Sequence, residues 1–205
     1  MVFADGSLTV VLLGDWNKFY LQPDWIANNV YERSEIELGV KGQGIDVNVT
    51  YRCDGVIIAP SQSQMLFTAE NTENPTVEKL VTCVNNFLQG ATTPVLNAYG
   101  FNCEYVDSDG LQFSDIIDAI GDNSNIISCG YEIRASKVTR TLAKDGRILN
   151  LESSLDGGEF ILHFNEHYGN ATKEMPNITV SQIEGFLERT SELVRAFGYE
   201  IEDDE

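Results

Sequence analysis

TYRCDGVIIAP, residues 50–60, and TLAKDGRILNL, residues 141–151, decide how this chain is read, because each sets an Asp-Gly pair between two strand-like runs. Asp-Gly tolerates the left-handed backbone of a two-residue hairpin turn, so both stretches read as antiparallel hairpins. The two pairs, Asp54-Gly55 and Asp145-Gly146, stand 91 residues apart. A constant displacement is what a tandem duplication leaves behind.

Other segments fall together at the same shift. Asp24, Trp25 and Ile26 meet Asp115, Ile116 and Ile117, and the strand-like run Val10 to Trp16 meets Phe101 to Asp107. Beyond the hairpins the register slips, and Phe67 matches Phe164 only after several inserted residues. Each half then closes on a helix. In the first, Asn74 reads as N-cap with Pro75 at the first helical position, Val77, Leu80, Val81, Val84, Phe87 and Leu88 form one apolar stripe, and Gly90 ends it. In the second, Thr179 and Gln182 have capping-box spacing, Ile183, Phe186, Leu187, Leu193, Val194 and Phe197 form the stripe, and Gly198 stops it.

The fold class expected is α+β: two tandem copies of a unit made of a strand, a short helix, antiparallel strands and a long helix, with a curved sheet under the helices. Half one places strands near 8–14, 35–41, 45–53, 55–60 and 64–69, and helices near 23–31 and 76–89. Half two places strands near 97–106, 126–134, 137–143, 147–152 and 159–165, and helices near 113–120 and 180–197. The halves divide at residues 1–91 and 92–199, packed as one globular unit. Residues 200–205, with five acidic side chains repelling one another, read as an unstructured tail. In outline this resembles the duplicated saddle of the TATA-box-binding-protein fold, or a tandem helix-grip arrangement.

The formal charge of −19 argues against carrying DNA binding over from that outline, since such a field repels phosphate backbones and anionic headgroups alike. No run of about 20 apolar residues occurs that could span a bilayer, and Met1 to Ser7 lacks the charged start of a secretory leader, so a cytoplasmic protein is expected. Cys53, Cys83, Cys103 and Cys129 are spread too widely for a zinc ribbon or redox pair and read as free, buried thiols.

Candidate sites are few. His163, Glu166 and His167 are the place to look for acid–base chemistry or a small-molecule pocket, but the flanking Phe160, Ile161, Leu162 and Phe164 make a strand, on which the two histidines stand about 13 Å apart, too far for one ion. Gly39, Gly42 and Gly44 lack the strand and helix of a phosphate loop, and Asp107, Asp109 and Gly110 lack the closing glutamate of a calcium loop. No catalytic set, cofactor motif or metal motif is read. The hairpin carrying Arg134, Lys137, Arg140, Lys144 and Arg147 gathers five of the thirteen basic residues within fourteen positions. Strand alternation puts Arg134, Arg140 and Lys144 on one face and Lys137 and Arg147 on the other. The expectation is a non-enzymatic acidic protein that binds a protein partner or itself as a homo-oligomer, in the manner of inhibitors or immunity-type partners of basic proteins; the alternative is a small-molecule binder or hydrolase at His163, Glu166 and His167.

Overall fold

The structure is a computed structural model that describes the chain apart from residues 18–20, 44–45, 62, 92–94, 108–127, 130–134, 157–158, 170–174 and 203–205, with backbone alone at 42–43, 46–47, 135 and 156. Along the chain run β1 (Val2–Phe3), β2 (Thr9–Asp15), a short helix α1 (Pro23–Ile26) that widens into a π turn (Ala27–Tyr31), β3 (Glu37–Gln43), β4 (Asp46–Cys53), β5 (Val56–Pro60), β6 (Gln64–Ala69), α2 (Asn74–Gly90), β7 (Val95–Asp107), β8 (Ala135–Lys144), β9 (Arg147–Asp156), β10 (Glu159–Gly169) and α3 (Val180–Ala196). The protein is α+β, and among the described residues ten strands form one antiparallel sheet ordered β3-β4-β5-β6-β2-β7-β10-β9-β8, with β1 on β7. The strand expected at 126–134 and the helix expected at 113–120 lie, but for two residues, outside the described residues.

Period-two alternation is what allows one face of this sheet to be buried. Val10 on β2 stands opposite Phe67 on β6 and opposite Phe101 on β7, so all three point to one side. Phe67 meets Phe87 of α2 at 5.8 Å between ring centroids, and Phe101 meets Phe186 of α3 at 5.8 Å, which puts both long helices on that side. Val10, Leu12, Phe67, Phe101, Phe164, Phe87 and Phe186 are fully buried in one continuous core. Each such side chain stabilises the fold by roughly 1.5–3 kcal/mol.

The helix ends show how local chemistry stops each element. α3 carries its capping box: the Gln182 amide donates to Thr179 Oγ1 at 3.3 Å, and the Thr179 amide donates to Gln182 Oε1 at 2.9 Å. α2 differs from expectation by one residue, since its N-cap is Glu73, without a side-chain cap, and Asn74 is already helical. Gly90 is the last residue of α2 and is followed by extended Ala91; a Cβ there would come within 3.2 Å of the Trp25 ring, so the missing side chain lets α1 lie against α2. Near the N-terminus, α1 and its π turn fill the space between sheet and helix. Tyr31, fully buried, lays its hydroxyl 2.9 Å from the carbonyl oxygens of both Tyr51 and Val56 and shares its proton between them. The Lys79 ammonium donates to the Tyr31 carbonyl at 3.0 Å. Trp16 and Trp25 both pack edge-on against Phe87.

At the chain end, Glu200 and Glu202 are held by the N-terminus despite their charge. The Met1 ammonium donates to the Glu200 carbonyl at 3.0 Å, and the Glu202 amide donates to the Met1 carbonyl at 3.1 Å. The unstructured tail expected at 200–205 is thus corrected for Glu200 to Glu202, and residues 203–205 lie outside those described. Among the described residues no helix is long and apolar enough to cross a membrane.

Candidate functional site

Both Asp-Gly turns form the expected tight hairpins, with Asp54 and Asp145 at φ 50° and 52° and Gly55 and Gly146 at φ 77° and 76°. Their surroundings differ. Asp54 is ion-paired with Arg33 at 2.8 Å and Lys79 at 3.4 Å. Partial burial alone would raise its pKa, but the Lys79 hydrogen bond and the Arg33 charge outweigh that and hold the carboxyl below its ordinary value. Asp145 instead borders a cleft of about 380 Å³ between the β8–β9 hairpin and α3, within the roughly 300–1,000 Å³ of ligand-sized pockets.

Leu142, Leu149, Leu193 and Ala196 make the apolar wall of this cleft, and Lys144, Arg147, Glu166, Arg189 and Glu192 its polar part. At its base Glu166 is 1% exposed. The Arg189 guanidinium grips it, Nη2 lying 2.8 Å from each carboxylate oxygen and Nε 3.1 Å from Oε2, and the Tyr168 hydroxyl donates to Oε1. Arg147 Nε stands 4.0 Å from Oε1. A buried carboxylate needs this degree of pairing, since desolvation costs several kcal/mol per ion. Burial, with the adjoining Glu166 carboxylate, pushes the Tyr168 phenol well above its ordinary pKa and keeps it a donor. Tyr168 stacks on Tyr99 at 4.8 Å, which fixes its ring.

The basic hairpin is arranged differently from its expected faces. Lys144 and Arg147 are cross-strand partners across the two-residue turn. Cross-strand partners share a face, and both line the cleft; strand alternation carried through the turn had placed them on opposite sides. Arg140 follows Lys144 in parity on the helix-bearing face, while Lys137 lies on the other face and pairs with Glu152 at 2.6 Å. Arg134 lies outside the described residues. Lys144 has no ion-pair partner among the described residues.

His163 and His167 do not join Glu166. They share the helix-free face with Asn165, and Glu166 faces the core. His163 Nδ1 lies 3.0 Å from Glu104 Oε1, and His167 is exposed. Among the described residues no group of three His, Cys, Asp or Glu is placed to hold a metal ion.

On that helix-free face runs a row of side-chain hydrogen bonds the sequence reading missed. Thr141 donates to Asn150 at 2.9 Å, Asn150 to Asn165 at 3.2 Å, and Asn165 to Asn102 at 2.6 Å, tying β8, β9, β10 and β7. These groups largely satisfy one another, so the row serves the sheet. All four cysteines are free; Cys83 and Cys103 are buried with their thiols pushed up to about 12 by desolvation, whereas Cys129 is exposed, contrary to the reading of four buried thiols.

Comparison with known proteins gives no match, either to a family model or to a curated sequence.

Proposed function

We propose that this chain is an internally duplicated, non-enzymatic interaction protein that binds an acidic, partly apolar segment of a protein partner at the tip of its β8–β9 hairpin and the adjoining cleft. The reading is carried by the cleft itself, where Lys144 and Arg147 stand side by side over an apolar wall in a protein whose overall charge is −19. Three basic side chains balance the three carboxylates of this lining, and a formally neutral spot presenting Lys144 and Arg147 on a −19 surface is where a carboxylate-bearing partner is least repelled.

Three features support the duplication, and with it a resemblance in outline to the saddle of the TATA-box-binding-protein fold. Strands β2 and β7, which open the two halves, pair at the centre of the sheet, and Val10 faces Phe101, its counterpart at the 91-residue shift, as a two-fold axis between copies requires. Tyr51 pairs with Ile58, and at the same shift Leu142 pairs with Leu149. The two turns share their left-handed conformations. Because Val10 also faces Phe67 while Phe101 faces Glu166, the register makes Glu166 the counterpart of Phe67, two residues beyond the Phe164 of the sequence alignment.

In the first half the corresponding space is closed by Tyr31 of the π turn after α1. The counterpart of α1 by sequence, 113–120, lies outside the described residues. The test therefore separates a partner's seat from the chain's own packing. Wild-type protein, Arg147→Glu and the cleft-filling Leu193→Trp are immobilised and exposed to an extract of the native host, and their melting temperatures are measured in parallel. The reading requires a salt-eluted partner held by wild type and lost from both variants at unchanged melting temperature. Equal retention by all three, or a fall in melting temperature for Leu193→Trp with the partner still bound, overturns it.

A further inference from the structure

The sheet ends, on the side away from the cleft, at β3, whose outer edge pairs with nothing among the described residues. Its side chains Glu37, Leu38, Val40 and Lys41 are all exposed, with Leu38 53% and Val40 60% open to solvent. Exposed edges of this kind are templates for adding a strand, and proteins guard them with charges or use them.

The hydrogen-bonding direction of β3 follows from the hairpin beyond it. Cys53 and Val56 close the two-residue Asp54-Gly55 turn as a hydrogen-bonded pair, so alternation turns the backbone groups of Arg52 and Thr50 toward β3. Their partners Glu37 and Gly39 face β4, and Leu38 and Val40 present N–H and C=O outward.

An antiparallel copy of β3 then has one register that also matches its side chains. Centring the pair on Gly39 sets Leu38 against Val40 of the other copy in hydrogen-bonded positions, so apolar meets apolar on the helix-bearing face. The same register sets Glu37 against Lys41 of the other copy on the opposite face, so the ion pair forms twice, once on each side of the axis. The strand is complementary to itself under a two-fold axis, the symmetry of an isologous dimer.

We propose that two copies of this protein associate edge to edge through antiparallel pairing of β3, with Glu37 against Lys41 and Leu38 against Val40, continuing one sheet across the dimer. The overlap is short, and the contact belongs with small, transient interfaces. This surface is separate from the hairpin and its cleft.

Sedimentation equilibrium of the full chain from micromolar to millimolar concentration tests it through charge reversal. Glu37→Lys alone and Lys41→Glu alone each set like charges together and are expected to weaken the dimer by about tenfold or more. The double variant Glu37→Lys/Lys41→Glu restores it. All these positions are exposed, and far-UV circular dichroism checks that the monomer is unchanged. A chain that stays monomeric throughout, or a dimer indifferent to the single reversals or not rescued by the double one, overturns the proposal. Arg147→Glu leaves the dimer intact, so failure here and failure at the hairpin are told apart.

Discussion

Phe67 and Glu166 flank the paired central strands β2 and β7 from either side, and the core holds them in different ways. Phe67, opposite Val10, packs on Phe87, whereas Glu166, opposite Phe101, is held by Arg189; aligning α2 with α3 at their N-caps, Glu73 and Thr179, sets Leu193 on Phe87 and Arg189 on buried Cys83. A buried ion pair contributes little net stability over a well-packed apolar pair, but breaking it leaves a charge without a partner. Arg189→Ala is therefore expected to cost about 3 kcal/mol in urea unfolding, the low end of the range because the Arg189 side chain is 30% exposed. The double variant Glu166→Phe/Arg189→Cys, which installs the first half's residues, should return to within about 1–2 kcal/mol of wild type. A double variant as unstable as the sum of its singles would show that the pair is not independent of its surroundings in this way.

The hairpins show at the level of elements why an identical turn is not an identical site. Gly55 and Gly146 both have φ near +76°, a region that costs a side chain about 1–2 kcal/mol. Alanine at Gly146 meets nothing within 4 Å, whereas at Gly55 its Cβ would stand 3.3 Å from Thr76 Cγ2, buried at the start of α2. Gly55→Ala is thus expected to lower the urea midpoint further than Gly146→Ala, and equal losses would deny Thr76 any part. The same contrast marks what the sequence could show. Turn chemistry, capping at Thr179 and the helical stripes are local signals, and the elements they imply are present. What depends on strands meeting across the sheet was not legible: the common face of Lys144 and Arg147 follows from the closing pair of a hairpin, and the slip from Phe164 to Glu166 follows from the greater length of β9 and β10 over β5 and β6. Glu166 stood out only beside its histidines, although it continues the even-numbered apolar row Phe160, Leu162 and Phe164 into the core; what alternation could not show was the arginine, 23 residues on, that holds it there. The π turn at Ala27–Tyr31 had no signal either, because it answers to Tyr31 reaching the carbonyls of β4 and β5.

Across the whole molecule the β2–β7 pairing at the centre of the sheet is core rather than boundary. Val10 and Leu12 on β2 are fully buried, and β2 lies between β6 of its own half and β7 of the next. The Asn85 side chain of α2 donates to the Ile178 carbonyl at 2.7 Å and accepts from the Ile178 amide at 3.0 Å, binding the first half's helix to the approach of α3. Unfolding either half alone would bare the inner face of a central strand, so the free energy of separating them should exceed that of keeping both folded. The tryptophans provide an internal control for this, because both, Trp16 and Trp25, belong to the first half, whereas backbone ellipticity reports on all ten strands. In urea, tryptophan fluorescence and far-UV circular dichroism are expected to give coincident transitions with one midpoint, the mark of a single cooperative unit. Fluorescence that changes ahead of ellipticity, or after it, would mean that the two halves keep separate stabilities and that the β2–β7 pairing joins them without making them one.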